Sequence, residues 1–464
     1  MAYGIWYTYF KMENCDLKEE TEMEEKLFVG YGKADITPKI GTPIGGYGND
    51  AHRLAEEIRD VPFVTCVAFT DARDNTVLIC SADLIHWDEK MIEMARPVVE
   101  AATGVPGDHV VVSAVHTHTC ISTSSPHLPG ETEYLRWVCT ERLVVAAQRA
   151  MASRKEAKLF AGKQEFPLCN FTRHFKLADG RLTGRGFVPQ AEYVDHAYPA
   201  DCLLQLVKIV REDEKDILLM NWQTHPDMMG GGTTKFVSAD YIGAVRSYLE
   251  ISLDCQFAYF QGGCGDLVPN SRQFKEKWPV LNSDRYAKRL GDQAMSMLDS
   301  LTEVAPGPVD CRMRKLVCPV DRSDDHLLDK ATLVWNKYAL EGDTKGSEAL
   351  AKELGFHNRY HARGIVIRAE EKGSYTLEVD ALRVGGIGFA TAPYEMFCAN
   401  GMWVKENSPY DITFVLTSAN GDNAYIASDL AYTYPCYEVN MRLFARGTAE
   451  MLADNMVQML KEME

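Results

Sequence analysis

The stretch HVVVSAVHTHT, residues 109–119, decides how the rest of the chain is read. From Val110 to Val115 it is small and apolar almost throughout, as a strand buried on both faces requires. The run then ends in two histidines. Alternation along a strand would send His116 and His118 to the same face. In α/β sheets, ligands gather beyond the carboxyl ends of strands, and neutral imidazole is both a metal ligand and a proton carrier. Two polar residues opening a surface loop would look the same, so this segment alone leaves both readings open.

Outward from it, strands and helices alternate. VPFVTCVAFTD and TVLICSAD read as buried strands, and EKMIEMARPVVEAATG reads as a helix stopped by glycine. TEYLRWVCTERLVVAAQRAMAS follows as one long amphipathic helix. CLLQLVKIV and DILLMNW are strands, ADYIGAVRSYLEISL a helix and CQFAYFQGG another strand. Residues 321–364 turn helical and more charged, like an insertion or lid. Strands resume in YTLEVDALRVGGIGFATAP and ITFVLTSAN, and YEVNMRLFARGTAEMLADNMVQML reads as a closing helix. The pattern predicts an α/β fold of mixed β-sheets flanked by helices. One catalytic domain over residues 27–464, preceded by a poorly ordered acidic leader at 1–26, is the simplest organisation.

Composition narrows the function. The 464 residues are 46% hydrophobic and 25% charged, enough for a large core. A net charge of −17 argues against a nucleic-acid footprint and against stable association with anionic membranes. No apolar run reaches the length of a membrane span. The 13 cysteines are odd in number and scattered singly, which fits free thiols in the cytoplasm better than a disulfide framework. A small-molecule substrate is therefore expected; a homo-oligomer is left open.

Other segments could carry chemistry. DILLMNWQTHPDMMGGG is a second buried strand ending in a histidine, His225, before a proline and three glycines. QGGCGDLVPN follows another strand, and there Asp266 and Asn270 can fix the turn through their side chains. GTPIGGYGND lacks the Lys-Ser/Thr ending of a phosphate-binding loop and reads as a tight connection over a pocket. His357 and His361 have helical i, i+4 spacing, but no glutamate follows the first.

Taken together, ADITP with Gly46-Tyr47, SAVHTHT, NFTR, NWQTH, SADYIG, GGCGDLVPN, APYEMF and the tyrosines from Tyr425 through Tyr432 to Tyr437-Glu438 resemble the catalytic domain of the neutral ceramidase family. The resemblance spans Leu27 to Glu438. It implies a zinc ion (Zn2+) held by His116, His225, Glu395 and Tyr425, with His118, Arg173 and Tyr437 beside it as catalytic or substrate-polarising residues. Two imidazoles, a carboxylate and a phenolic oxygen suit zinc. Asp240 is expected to support a ligand, since metal-bound histidines need an orienting partner.

Departures from the family shape the expected activity. Val268 stands where the family has a serine, so a serine acyl-enzyme route has no support. Cys120-Ile121-Ser122-Thr123 replaces a small, glycine-containing stretch after the histidines. The chain ends at Glu464 without the family's C-terminal β-sandwich, and its start lacks a secretion signal; both make ceramide an unfavoured substrate. The expectation is a zinc-dependent hydrolase using activated water on an amide bond of a small polar substrate. An esterase, a hydrolase or lyase of sugar derivatives, and a non-catalytic metabolite-binding protein are the alternatives.

Overall fold

Strand segments with no polar face need cover on both sides, and the fold supplies it. The structure is a computed structural model describing residues 25–47, 52–123 and 131–464. The acidic leader, apart from Glu25 and Lys26, and the end of the glycine-rich loop from Gly48 to Ala51 lie outside the described residues.

The large sheet contains β1 (Leu27–Asp35), β2 (Phe63–Asp71), β3 (Thr76–Ala82), β4 (Val110–Ala114), β5 (Lys155–Glu165), β6 (Leu203–Arg211), β7 (Ile217–Trp222), β8 (Gln256–Gln261) and the short β9 (Thr302–Val304). Its order is β8-β7-β6-β5-β1-β2-β3-β4, with β9 beside β5. Neighbours are antiparallel except β3/β4 and β7/β8, which run parallel. The second sheet has β10 (Val309–Pro319), β11 (Ser374–Val384), β12 (Ile387–Thr391) and β13 (Ile412–Leu416) in that order, with β12/β13 parallel.

Alternation assigns the two faces of each strand. Val64, Cys66 and Ala68 of β2 pack under α1 (Glu89–Thr103) and, beyond α2 (Glu131–Trp137), α3 (Leu143–Ala152). Val67 and Phe69 of the same strand point the other way, into a core shared with Leu382, Phe389 and Phe414 of the second sheet. The far half of the large sheet is covered by α4 (Asp240–Leu253) and α5 (Ser283–Met297). Each fully buried Val, Leu or Ile in these layers contributes roughly 1.5–3 kcal/mol.

The helical segment after residue 321 comprises α6 (Leu328–Ala339), α7 (Thr344–Glu353) and α8 (Arg359–Glu370), a little longer than the expected 321–364. Beyond it, α9 (Cys398–Asn407) and α10 (Thr448–Lys461) cover the outer face of the second sheet. The result is four layers, helix–sheet–sheet–helix, as the mixed α/β reading expected.

Two helix expectations need correction. The segment after residue 131 is α2 and α3 joined through a π-helical turn at Val138–Arg142. The closing segment is not one helix. A single turn, Tyr437–Asn440, is followed by a bridge between Phe444 and Val320, and α10 starts only after Gly447 at φ +87°.

Candidate metal centre

The parallel strand pairs end on the same side of the molecule, and the chemistry-bearing residues follow those ends. β4 stops at Ala114, so the pleat does not aim the two histidines as expected. His116 instead adopts φ +68°, a left-handed conformation unfavourable for a side-chain-bearing residue. It is held there by Leu84 O, which accepts from His116 N and Thr117 N at 3.0 and 3.2 Å. The rings of His116 and His118 still meet, with centroids 5.0 Å apart.

Three imidazoles and a carboxylate converge. His116 Nε2 lies 3.3 Å from His225 Nε2 and 3.4 Å from His118 Nε2. Glu395 Oε2 lies 3.1 Å from His116 Nε2 and 3.2 Å from His225 Nε2. His116, His225 and Glu395 are buried. The other ring nitrogens settle the tautomers. His116 Nδ1 donates to Ile85 O at 2.9 Å, and His225 Nδ1 to Cys264 O at 2.7 Å and Leu267 O at 3.1 Å. A carbonyl can only accept, so each Nδ1 carries the hydrogen and each Nε2 presents a lone pair when its ring is neutral.

Those bare nitrogens face one another and a carboxylate oxygen. Acceptors so close in a buried site repel unless a cation or a shared proton lies among them. Burial would raise the Glu395 carboxyl, but His116 and His225 hold it well below the usual carboxylate range. A proton on each imidazole would answer Glu395 but set two like charges 3.3 Å apart, whereas one divalent cation takes lone pairs from both rings and the carboxylate, so the donor set fits the implied metal.

Tyr425 stands beside Glu395, its paired neighbour in a short parallel bridge. Burial, followed by the Glu395 charge, pushes its phenol well above the usual range, while Arg173 opposes. The Arg173 guanidinium lies 5.2 Å from the Tyr425 ring centroid, and the Tyr437 ring is 6.1 Å from that of Tyr425. Tyr437 is 39% exposed and stands at the mouth of the site.

Two glycines permit these approaches. A Cβ on Gly265 would lie 2.6 Å from Glu395 O, and one on Gly46, at φ +109°, would lie 2.7 Å from His118 Nδ1. That His118 nitrogen is buried without a partner, and the Tyr47 ring packs edge-on to His118 at 5.1 Å.

Asp240 and Asp266 act elsewhere than on the rings. Asp240 accepts from Met229 N and Tyr241 N, bracing the loop after His225 and the start of α4, while backbone carbonyls orient both histidines. Asp266 accepts from Cys398 N and from the Tyr198 hydroxyl, and its carbonyl accepts from Arg173 N. It therefore braces the turn under Arg173.

Two residues not singled out in the sequence, His86 and His174, join the site, as does Glu438, which the sequence offered only as part of the resemblance and without a role. His86 packs edge-on to His116 with ring centroids 5.0 Å apart, and its Nδ1 is 3.2 Å from Asp422 Oδ1. Burial and His116 push it down to about 3. It follows β3 as His116 follows β4, so the same strand-end rule could have found it. Below Arg173, Glu438 accepts from Arg173 Nε at 2.6 Å and from His174 Nε2 at 3.0 Å. His174 Nδ1 meets the Tyr198 and Tyr434 hydroxyls. His357 and His361 stack on each other at 4.8 Å within the helical insertion, where His357 meets Asn440.

No protein-family model and no curated protein matches this chain in sequence. Solved structures do match its fold. The crystal structure of neutral ceramidase from Pseudomonas aeruginosa superposes with a TM-score of 0.71, covering 95% of this chain and 75% of that one at 16% identity. A ceramidase complexed with C2 gives 0.70 with the same coverage and identity. The chain has the neutral-ceramidase fold, within which the four acceptors converge.

Proposed function

We propose that this protein is a zinc-dependent hydrolase that cleaves an amide bond in a small polar substrate. The observation that carries the reading is the convergence of the His116, His118 and His225 ring nitrogens and Glu395 Oε2 in one buried cluster, with the contacts to His116 and Glu395 between 3.1 and 3.4 Å. His116, His225, Glu395 and Tyr425 would hold the ion. When bound, a divalent cation supplies a Lewis acid that polarises a carbonyl and lowers the pKa of water.

This chain's residues do the rest. His118 takes a proton at an imidazole nitrogen and returns it to the leaving nitrogen. Arg173, fixed by Glu438 and by Gly265 O at 2.7 Å, presents positive charge where an oxyanion develops. Tyr437 donates from the mouth of the site. Val268 offers no nucleophile, which favours direct attack by water. The amide bond follows the chemistry named for the structural neighbours, and an ester is the alternative on the same residues.

A cytoplasmic location is part of the reading. The described cysteines are all free thiols, most of them buried, and no described helix is long and apolar enough to cross a membrane.

The test is metal content of protein purified without added metal, with His116→Ala, His225→Ala and His118→Ala beside it. Near-stoichiometric zinc in the wild type, lost in the first two variants and kept in the third, supports the reading. Zinc lost from His118→Ala would move that residue from proton carrier to ligand. A wild type that takes up no metal when zinc is offered would sink the hydrolase and favour a metabolite-binding protein.

A further inference from the structure

Beside the metal centre, on the Val268 side, opens a small cleft of about 40 Å³, room for a single carboxylate or phosphate oxygen cluster at most, whose lining includes Arg173, Arg185, Asp227, Val268, Asn270 and Arg272. Val268 directly follows Leu267, whose carbonyl orients His225, and Asp227 lies two residues beyond that histidine. The cleft and the metal centre therefore share a wall. Arg173 closes the inner end, its guanidinium spanning Glu438, Gly265 O and the Tyr425 ring.

The other two arginines are held differently. Arg185 and Arg272 are exposed, and neither side chain has an ion pair or hydrogen bond with another described residue. Asp227 lies in the same lining without pairing to either. With Arg173 already answered by Glu438, two unpaired positive charges thus face one negative charge, in a chain whose net charge is −17. Unanswered arginines converging on one cleft are the feature a planar anion needs, because each guanidinium can give two parallel hydrogen bonds to a carboxylate or phosphate.

We propose that this cleft is a substrate subsite for an anionic group, a carboxylate or a phosphate, placed one cleft-length from the bond cleaved at the metal centre. The subsite rests on the lining alone; its service to catalysis rests on the hydrolase reading above. Because Arg185 and Arg272 are exposed, their attraction is screened over roughly 8 Å at physiological salt, so affinity should fall as salt rises.

Isothermal titration of the full-length, zinc-loaded protein tests this with three matched probes: N-hexanoylglycine, N-hexanoyl phosphoethanolamine and the neutral N-hexanoylglycinamide. At least one charged probe should bind tenfold or more tighter than the neutral one, as one charge-assisted hydrogen bond would give. The tighter of the two identifies carboxylate or phosphate. The exposed double substitution Arg185→Gln, Arg272→Gln should erase the preference while zinc content and melting temperature stay unchanged. Equal binding of all three probes overturns the subsite. So does a preference that survives the double substitution, since the anion would then be held by the metal or by Arg173. Binding requires no turnover: tight, arginine-dependent binding without hydrolysis would uphold the subsite and sink the hydrolase reading.

Discussion

His116 has its backbone at φ +68° and its ring wedged among His86, His118 and His225. A residue so constrained is held by its neighbours, and the same is true of Arg173. Glu438 is buried, accepts from both Arg173 and His174, and despite burial is kept well below the usual carboxylate range by Arg173 first and then by the His174 contact. Glu438→Gln should leave the Arg173 guanidinium unanswered, at a cost of roughly 3–5 kcal/mol in stability. It should also lower kcat about a hundredfold with zinc content unchanged, because no metal ligand is touched. A variant with normal kcat would remove Arg173 from the reaction. At this scale the sequence disclosed what sits at strand ends: His116, His118 and His225 could be picked out from apolar runs that stop in histidine. Glu395 and Tyr425 needed the family resemblance. Glu438 was visible beside Tyr437 in the resemblance, but its role and that of His174 were illegible, because they depend on a meeting across 264 positions of sequence that no local pattern encodes.

At the scale of elements, the glycine turn after β8 and the Glu395 segment touch at backbone level. A Cβ at Gly265 would come 2.6 Å from Glu395 O, closer than real Cβ contacts allow. Gly265→Ala should therefore displace Glu395 and weaken zinc binding by at least tenfold, read as zinc lost to a competing chelator. Unchanged zinc affinity would mean the turn can shift without carrying Glu395 with it.

The helical insertion is tied down electrostatically. Arg442 pairs with Asp321 and Asp324, Arg368 meets Asp324 at 3.2 Å, and the Tyr360 ring packs edge-on to Tyr437 at 5.7 Å. His361 first, then Arg442 and Arg368, hold the Asp324 carboxyl well below its ordinary range against partial burial. Against its own burial, Ser323 and Arg442 do the same for Asp321. Carboxyls that titrate lower when folded stabilise fully above their unfolded value of about 4, and lose that contribution as pH falls through the depressed folded values. Hydrogen exchange, corrected for intrinsic rates, should show α6–α8 losing protection below about pH 4 while β2 and β3 keep theirs. Equal protection of both at pH 3 would show that these pairs do not hold the insertion. The charged, helical character of 321–364 was readable in advance, but its anchorage at Arg442 was not. The sequence there suggested an unbroken helix, and it took the left-handed Gly447 and the Phe444 bridge to Val320 to break it.

Across the whole molecule, the proposed ligands divide between the two sheets. His116 follows β4 and His225 follows β7 of the large sheet, whereas Glu395 follows β12 and Tyr425 follows β13 of the smaller one. The sheets already share an apolar core, and at the strand ends they meet through the proposed ligands, Glu395 of one facing His116 and His225 of the other. Metal binding is thus coupled to the packing of the layers as well as to chemistry. A ligand bound only by the folded state at a thousandfold over its Kd adds about 4 kcal/mol, which in a chain this long corresponds to a shift in Tm on the order of 5 °C. Stripping zinc with a chelator should lower Tm by about that much, and zinc should restore it. Glu395→Ala should behave differently: with the carboxylate gone, the histidines lose the group they oppose and zinc loses a ligand, so its Tm should hardly respond to chelator. A wild type that loses its metal with no change in Tm would show that the apolar core alone sets the sheet packing, and that the four ligands are preorganised without the ion.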